Sequence, residues 1–480
     1  MSTQNDCLAK AAKAISTNTN NLLAFQLVLK FYSKNNKSQN NKLDLSIIML
    51  LRQVCSTFNK LVLNYISTLN ISCSFEPSCW ESLTKLIRMM PNLTCLNLML
   101  FDMSHGYGFY DDYYIATEPN LALFFQSSLS DLSRLNLTSL GIMYGHNEGV
   151  NASLLAPSIA ELTNLISLTL ETPLADQLVP SLANLTNLTS LKFEFNNIET
   201  PKTAYSAQVL EKMIPSLAQT LCSLPNLTDL DLGCNRLEDS HIRLLAPSLK
   251  RLPNITSINF NANHIADHGM ELLAGSIDKM PNLTSVNFGC NKIRFYYLDS
   301  FLSSIDKLKL TDLNLSHNFI NDVAYAFLAS LAKQTHLISL NIEGCYFRSS
   351  ETVRDQLEQT FAKLTNLRCL NLSSNNFEVF AGSLVNLTNL TKLDLKNNCI
   401  GSDEISLLAP SLMRMTSMTS LNLKLNKIRG LVGAQSLIPI LRKMEYLKFL
   451  KICWYELGKE GEALLLDFVK NMPELKCEFI

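Results

Sequence analysis

The sequence of 480 residues predicts an α/β solenoid, in which a parallel sheet forms one face and helices form the other. Three observations predict this fold. A nine-residue apolar motif recurs along the chain, apolar residues at helical spacing follow the copies, and the two patterns stay in phase. A short strand or helix cannot bury its apolar side alone, so neighbouring units must stack into a continuous core.

The recurring motif reads Leu-x-x-Leu-x-Leu-x-x-Asn. Clean copies occupy residues 227–235, 255–263, 283–291, 310–318, 367–375, 390–398 and 418–426. Degenerate copies begin at Ile66, Leu93, Leu137, Leu165, Leu188, Leu337 and Leu447. Fourteen copies in phase, at spacings of 23–44 residues, are far too many for chance.

The motif resembles the leucine-rich repeat family, and its spacing favours the ribonuclease-inhibitor-like subtype. Its alternating leucines lie on one face of a strand. The resemblance implies a horseshoe with a concave parallel sheet and convex helices. It also implies that the ninth-position asparagines form a buried hydrogen-bonded ladder. Cys345 replaces this asparagine in one repeat, and Pro173 and Tyr455 replace it in two others.

The second half of each repeat predicts a helix. Prolines recur eight residues before the next motif at positions 157, 180, 247, 410 and 439, where we expect a kink or a break. The 23-residue repeats that start at Leu165 and Leu367 have room only for a short helix or 3₁₀ segment. Residues 66–480 are therefore predicted to form one repeat domain, ending in a C-terminal cap at 458–480.

Residues 1–65 lack the repeat and predict a helical N-terminal segment. An amphipathic helix is indicated around residues 47–62, and residues 52–62 resemble the last helix of an F-box. F-boxes commonly precede leucine-rich repeats. The resemblance implies binding to a ubiquitin-ligase adaptor through Leu22, Leu23, Val54 and Phe58. The alternative is a plain helical cap on the first repeat.

Composition restricts the class of protein. Charged residues make up 17% of the chain and the net charge is −1, which disfavours nucleic acid as a partner. No apolar run is long enough for a membrane span, and the N-terminus is not a typical secretory signal. Thirteen cysteines without framework spacing indicate reduced thiols and a cytoplasmic location. In a prokaryote, an F-box followed by leucine-rich repeats, in a chain rich in asparagine and lysine, would resemble eukaryote-like effectors delivered to the host cytosol.

Enzyme motifs are missing from the sequence. It has no phosphate-binding GxxxxGK[ST], no GxSxG and no HExxH, so we predict a non-enzymatic protein without cofactor. His264 and His268 have helical metal-ligand spacing but no third ligand nearby. They are interpreted as solvated residues of a strand-to-helix turn.

Candidate binding residues lie on the predicted concave face, at the outward third, fifth and seventh motif positions. Acidic residues come earlier along the chain, and lysines with two aromatic residues come later. The predicted partner-binding residues are Glu171, Glu194, Asp229, Asp231, Lys392, Lys396, Lys424, Phe449, Lys451 and Trp454. A tyrosine-rich segment at 101–119 is either a further contact surface or a simple insertion.

The sequence therefore predicts a protein-interaction protein that captures a protein target on its concave face. In its sharpest form, it is an F-box-type substrate receptor of a cullin ubiquitin ligase. The alternative is a standalone inhibitor or scaffold of the ribonuclease-inhibitor type, with the N-terminus as a cap.

Overall fold

The computed structural model describes thirteen stretches of the chain. These are residues 68–74, 90, 92–101, 136–144, 156–171, 175–194, 204–294, 298–320, 324–347, 351–375, 383–453, 455–472 and 474–479. Two compact units divide the chain, Met1–Lys202 and Thr203–Ile480. The predicted helical segment 1–65, with its four adaptor-binding candidates, lies outside the described residues. Pro173, Trp454 and residues 102–119 of the tyrosine-rich segment also lie outside them.

The first unit contains parallel strands that pair in chain order. They are β1 (Thr68–Ser74), β2 (Cys95–Phe101), β3 (Ser139–Tyr144), β4 (Ser167–Glu171) and β5 (Ser190–Glu194). Phe101 ends β2, although the sequence placed it in the tyrosine-rich segment. Helix α1 (Ala156–Ala160) precedes β4, and helix α2 (Ala175–Leu178) runs into a 3₁₀ turn at Val179–Asn184. The short helix predicted for the repeat at Leu165 is therefore confirmed.

The second unit continues the same pattern with shorter strands, again parallel and paired in chain order. They are β6 (Asp229–Asp231), β7 (Ser257–Asn259), β8 (Ser285–Asn287), β9 (Asp312–Asn314), β10 (Ser339–Asn341), β11 (Cys369–Asn371), β12 (Lys392–Asp394), β13 (Ser420–Asn422), β14 (Phe449–Ile452) and β15 (Lys476–Phe479). Each of β1–β14 begins two residues after a predicted motif start. Each unit has the leucine-rich-repeat solenoid architecture that the sequence predicts.

Helices alternate with these strands. They are α3 (Ala204–Leu221), α4 (Asp239–Leu249), α5 (Asp267–Ile277), α6 (Leu298–Ile305), α7 (Ala324–Leu331), α8 (Glu351–Lys363), α9 (Ser402–Leu412), α10 (Gly430–Arg442) and α11 (Gly458–Val469). Pro247, Pro410 and Pro439 lie inside α4, α9 and α10, and these helices continue across them. A break is found at Pro180, where helix α2 gives way to the 3₁₀ turn, but not within α4, α9 and α10. In these three helices the proline lies within the last turn, so little of the helix is left to disrupt.

Leucines at motif positions one, four and six fill the space between sheet and helices. In the β9 repeat, Leu310, Leu313 and Leu315 have at most 2% of their surface exposed. Larger side chains fill the same layer in neighbouring repeats. The rings of Phe260 and Phe288 stack with centroids 5.9 Å apart, and such aromatic pairs add to the packing energy.

The ninth-position asparagines form the ladder that the resemblance implies. Asn318, which is fully buried, donates its amide to the carbonyls of Phe288, Leu315 and Ser316 at 2.9–3.2 Å. Its Oδ1 accepts the backbone N–H of Ile293 at 3.1 Å. One side chain thus closes its own turn and ties it to the preceding repeat. This connection supplies the partners that a buried amide requires.

Cys345 takes over part of this role in the β10 repeat. Its thiol is fully buried and donates to the carbonyl of Leu315 at 3.2 Å, the contact that the asparagine amide makes elsewhere. Burial raises the pKa of the Cys345 thiol to about 12. The side chain is therefore a neutral structural thiol at physiological pH. Tyr455, at another substituted position, lies in a 3₁₀ turn at Tyr455–Leu457.

Candidate functional site

The outward face of the sheet in the second unit is built from two side-chain columns. In strands β6–β13 the middle residue is buried, while the third- and fifth-position residues on either side are half-exposed or exposed. A strand alternates its side chains between faces, so these columns point away from the helices. The seventh position differs from the prediction. Gly233, Gly289, Ser316 and Ser373 are buried there, so the outward surface is narrower than three full columns.

Fifth-position side chains close the end of each strand. Their side-chain oxygens accept the backbone N–H of the seventh-position residue at 2.9–3.1 Å. The residues that do so are Asp231, Asn259, Asn287, Asn314, Asn341, Asn371, Asp394 and Asn422. Sequence reasoning treated this column as solvent-facing polarity. Its residue type is instead set by backbone hydrogen bonding, because Asn and Asp carry the short acceptor that this turn needs.

The acidic candidates of the first unit share one lysine as their ion-pair partner. Glu171 and Glu194 flank Lys192, whose Nζ lies 2.5 Å and 3.3 Å from their carboxylates. Burial alone would lower the pKa of Lys192, but the hydrogen bonds and charges of the two glutamates raise it above its ordinary value. The three side chains form a half-buried ion-pair cluster. Its carboxylates are already engaged, which weakens the case for a partner contact at this point.

The acidic candidates of the second unit lie on β6. Asp229 is half-exposed at the third position, and Asp231 is half-exposed at the fifth. One carboxylate oxygen of Asp231 accepts the N–H of Gly233 at 2.9 Å. Asp231 is therefore partly committed to holding the turn.

Among the lysine candidates of the second unit, Lys392 and Lys451 lie on β12 and β14, and Lys396 and Lys424 lie two residues after β12 and β13. Lys392 is exposed, and Lys396, Lys424 and Lys451 are half-exposed. The strand register places Lys392, Ser420, Phe449 and Lys476 in one row. Phe449 is 46% exposed, and the Nζ of Lys476 lies 5.8 Å from the centre of its ring. We name Lys392, Lys396, Lys424, Lys451, Lys476 and Phe449 the basic strip.

Negative charge lies beside part of the basic strip, since the strand register pairs Lys451 with Glu478 of β15. Asp394 lies within the strip, but its two oxygens accept the N–H of Lys396 and the amide of Asn422 at 2.9 Å and 2.8 Å. Across the described part of the chain, neither Lys392 nor Lys396 forms a salt bridge. Lys476 was missed by sequence reasoning, because only the register of β15 places it beside Phe449.

A second exposed cluster lies where the strands turn toward the helices. The rings of Phe319 and Tyr346 stack with centroids 5.5 Å apart and planes inclined by 9°. The guanidinium carbon of Arg294 lies 5.7 Å from the centre of the Phe319 ring. We name these three residues the aromatic ledge. A pattern in the sequence could have identified the ledge, since Phe319 and Tyr346 each directly follow the ninth, ladder-forming position of their repeats.

Groups suited to catalysis do not converge in the described stretches. They contain no cluster of three or more metal-ligating side chains. Burial raises the pKa of the Cys477 thiol to about 11, so this cysteine is not an activated nucleophile. His268 is exposed and contacts Arg243 and Glu271 on the helical face. None of the helices whose residues are described is long and apolar enough to cross a membrane.

Comparison with known proteins agrees with this architecture. The sequence model of the family described as "Leucine Rich repeat" matches residues 223–240, 363–378 and 386–409. This chain is a leucine-rich-repeat protein, since fourteen repeats in phase build the strands and the family motif recurs within them. Its fold implies protein–protein interaction, and the family consists typically of non-enzymatic binding scaffolds.

Several solved structures are similar to this chain. An internalin, InlF, from Listeria monocytogenes is 17% identical, with 87% of this chain and 88% of that chain covered and a TM-score of 0.45. A leucine-rich-repeat protein of Leptospira interrogans is 16% identical, with coverages of 88% and 92% and a TM-score of 0.47. TLR13 in its complex with ssRNA13 is 18% identical, with coverages of 87% and 60% and a TM-score of 0.45. No curated protein sequence matches the chain.

Proposed function

We propose that this protein captures an acidic protein partner on the sheet face of its second unit, through the basic strip. The observation that carries the proposal is the row of cations around an exposed phenylalanine on β12–β15. Outward side chains on a sheet do not pack the core, and like charges on adjacent strands about 4.8 Å apart repel one another. An acidic partner surface would relieve this repulsion and cover Phe449.

The test is affinity capture from eukaryotic lysate with quantitative mass spectrometry. Full-length wild type is compared with Lys392→Glu/Lys396→Glu. A matched control, Lys309→Glu/Lys363→Glu, makes the same charge change at exposed positions outside the strip. We expect the strip variant to lose a defined set of acidic partners that the control retains. Capture by wild type should also weaken in about 0.5 M salt, where charges are screened over only a few ångströms. Identical partner sets for all three proteins would refute the proposal.

A finer form of this function makes the protein a substrate receptor of a cullin ubiquitin ligase, acting in the cytoplasm or in the cytosol of a host cell. It is supported by the F-box-like sequence at residues 52–62. In this form, Leu22, Leu23, Val54 and Phe58 contact the adaptor while the repeats hold the target. The full-length chain should then co-purify with the adaptor and cullin. The double variant Val54→Asp/Phe58→Asp should abolish this co-purification. Capture of targets without adaptor would favour the standalone scaffold or inhibitor.

A further inference from the structure

The aromatic ledge exposes apolar surface that the fold does not need. Phe319 is 45% exposed and Tyr346 is 57% exposed. The next residues along the chain, Ile320 and Phe347, are buried and already fill the core at this level. Other repeats place Arg236, His264 or Lys292 at the equivalent position. The fold therefore accepts a polar side chain at this position. Folding alone does not explain why two adjacent repeats have aromatic rings there.

The backbone conformation of Tyr346 is a feature of the repeat. Tyr346 has φ +57°, in the left-handed region that glycine or asparagine tolerates best, and the equivalent residues Arg236 and Cys399 share it. A side chain with a β-carbon carries a steric cost there. The stack with Phe319 holds the ring in place despite this cost. Exposed tyrosine, phenylalanine and arginine are the residue types that concentrate binding energy at protein interfaces.

Among the described residues beside the ledge, the exposed charges are cationic. Arg294 is exposed, and Lys292 is exposed in the same column as Phe319, one repeat earlier. The carboxylates nearby are already engaged. Asp267 accepts the backbone N–H of Arg294 at 2.8 Å, and Glu343 lies 3.7 Å from His317 while also accepting the amide of Asn371. The ledge is therefore complementary to an apolar side chain flanked by carboxylates.

We propose that the aromatic ledge is a second docking point for the acidic partner of the basic strip, and that it takes one apolar side chain of an acidic segment. The inference rests on the proposed function of the strip. Tyr346 belongs to the β10 repeat and Lys396 to the β12 repeat, so the two residues are two strands, or about 10 Å, apart across the sheet and three motif positions apart along the chain. An extended segment of about five residues spans both offsets. A single short acidic segment can thus contact both surfaces.

The test uses the full-length protein and synthetic peptides. The probe is a fluorescent nonapeptide of aspartate and glutamate with one central tryptophan, and a second peptide carries alanine instead. Affinities are measured by fluorescence anisotropy for wild type, Phe319→Ala/Tyr346→Ala and Lys392→Glu/Lys396→Glu. Tyr325→Ala/Leu407→Ala, at exposed positions on helices α7 and α9, serves as a control for lost apolar surface.

We expect wild type to bind the tryptophan peptide at least ten-fold more tightly than the alanine peptide. Phe319→Ala/Tyr346→Ala should remove that preference, whereas the control should keep it. All four proteins should melt within a few degrees of one another. Equal affinity of wild type for the two peptides, or an unchanged preference in the ledge variant, would overturn the inference.

Two further outcomes separate the ledge from the strip. If the lysine variant binds both peptides as wild type does while the ledge variant loses the tryptophan preference, the proposed function fails and the ledge stands. If only the lysine variant loses affinity, the strip stands and the ledge proposal fails. Binding to a single-stranded oligonucleotide that the ledge variant abolishes, without peptide binding, would assign the ledge to nucleic acid and overturn the proposal.

Discussion

Two asparagines of the same repeat show how position decides the role of a residue. Asn318 is buried and makes three donated hydrogen bonds and one accepted bond. Asn314 is half-exposed, and its Oδ1 accepts the N–H of Ser316 at 3.0 Å. Both side chains satisfy backbone groups, but only the side chain of Asn318 is itself buried. The chemistry of the amide is the same, so the difference in stability must come from burial.

The first prediction compares these two asparagines. Asn318→Ala leaves buried carbonyls and a buried N–H unpaired, so it should lower the free energy of unfolding by about 2–3 kcal/mol. Asn314→Ala should cost less, about 1 kcal/mol, because it removes a half-exposed acceptor from one backbone N–H. Urea denaturation followed by circular dichroism measures both. Equal losses would mean that the buried ladder does not carry the stability assigned to it.

Helix α4 shows how one element depends on the titration of one side chain. At its N-terminus the backbone N–H of Glu238 donates to Nδ1 of His241 at 2.9 Å. Burial lowers the pKa of His241 below its ordinary value, against the opposing charges of Glu238 and Glu211. The folded protein therefore prefers neutral histidine, which has a nitrogen lone pair free to accept the bond.

The second prediction follows from the sign of that shift. Because the pKa of His241 is lower in the folded state, its contribution to stability is present above about pH 6.5 and is lost as the pH falls through the folded pKa. His241→Gln keeps an acceptor but does not titrate. Between pH 7.5 and 5.5, wild type should lose more free energy of unfolding than this variant. His336→Gln, at an exposed turn, is the control and should follow wild type. A His241→Gln profile parallel to wild type would contradict the assignment.

At the scale of elements, the strands were the most predictable feature. Because leucines alternate along each strand, only one face of the strand can be the buried one. The motif also recurs often enough to determine where β1–β14 begin. The course of the helices past Pro247 was less predictable, because a proline's cost depends on how soon its helix ends. The continuous helix shows that two further residues can keep helical geometry after the proline.

The candidate site was predicted only in part. Motif position identified the outward lysines, since period-two alternation determines which face a strand residue occupies. It could not show that Lys192 forms ion pairs with both Glu171 and Glu194, because that depends on side-chain conformation across adjacent strands. The aromatic ledge was not predicted from the sequence for a related reason. Its residues follow the strands, where no simple period relates sequence to exposure.

At the scale of the whole second unit, stability comes from interfaces between consecutive repeats. Each strand pairs with the strands before and after it in the chain, so a repeat is held mainly by its two neighbours. The stability of such a solenoid is approximately a sum of repeat terms and nearest-neighbour interface terms. A defect should therefore weaken nearby repeats more than distant ones.

The third prediction tests that locality with Leu313→Ala. Leu313 is 2% exposed between β8 and β10, so the cavity should cost roughly 2–5 kcal/mol. Ile338→Ala removes a branched side chain that is 42% exposed and should cost much less. Hydrogen exchange with mass spectrometry should show protection falling most at Ser285–Asn287 and Ser339–Asn341, and least at Ser420–Asn422, because that strand shares no interface with the cavity. A uniform loss of protection over all three strands would show that the unit unfolds as one cooperative block. Equal losses in the free energy of unfolding for Leu313→Ala and Ile338→Ala would show that the register of β9 is wrong.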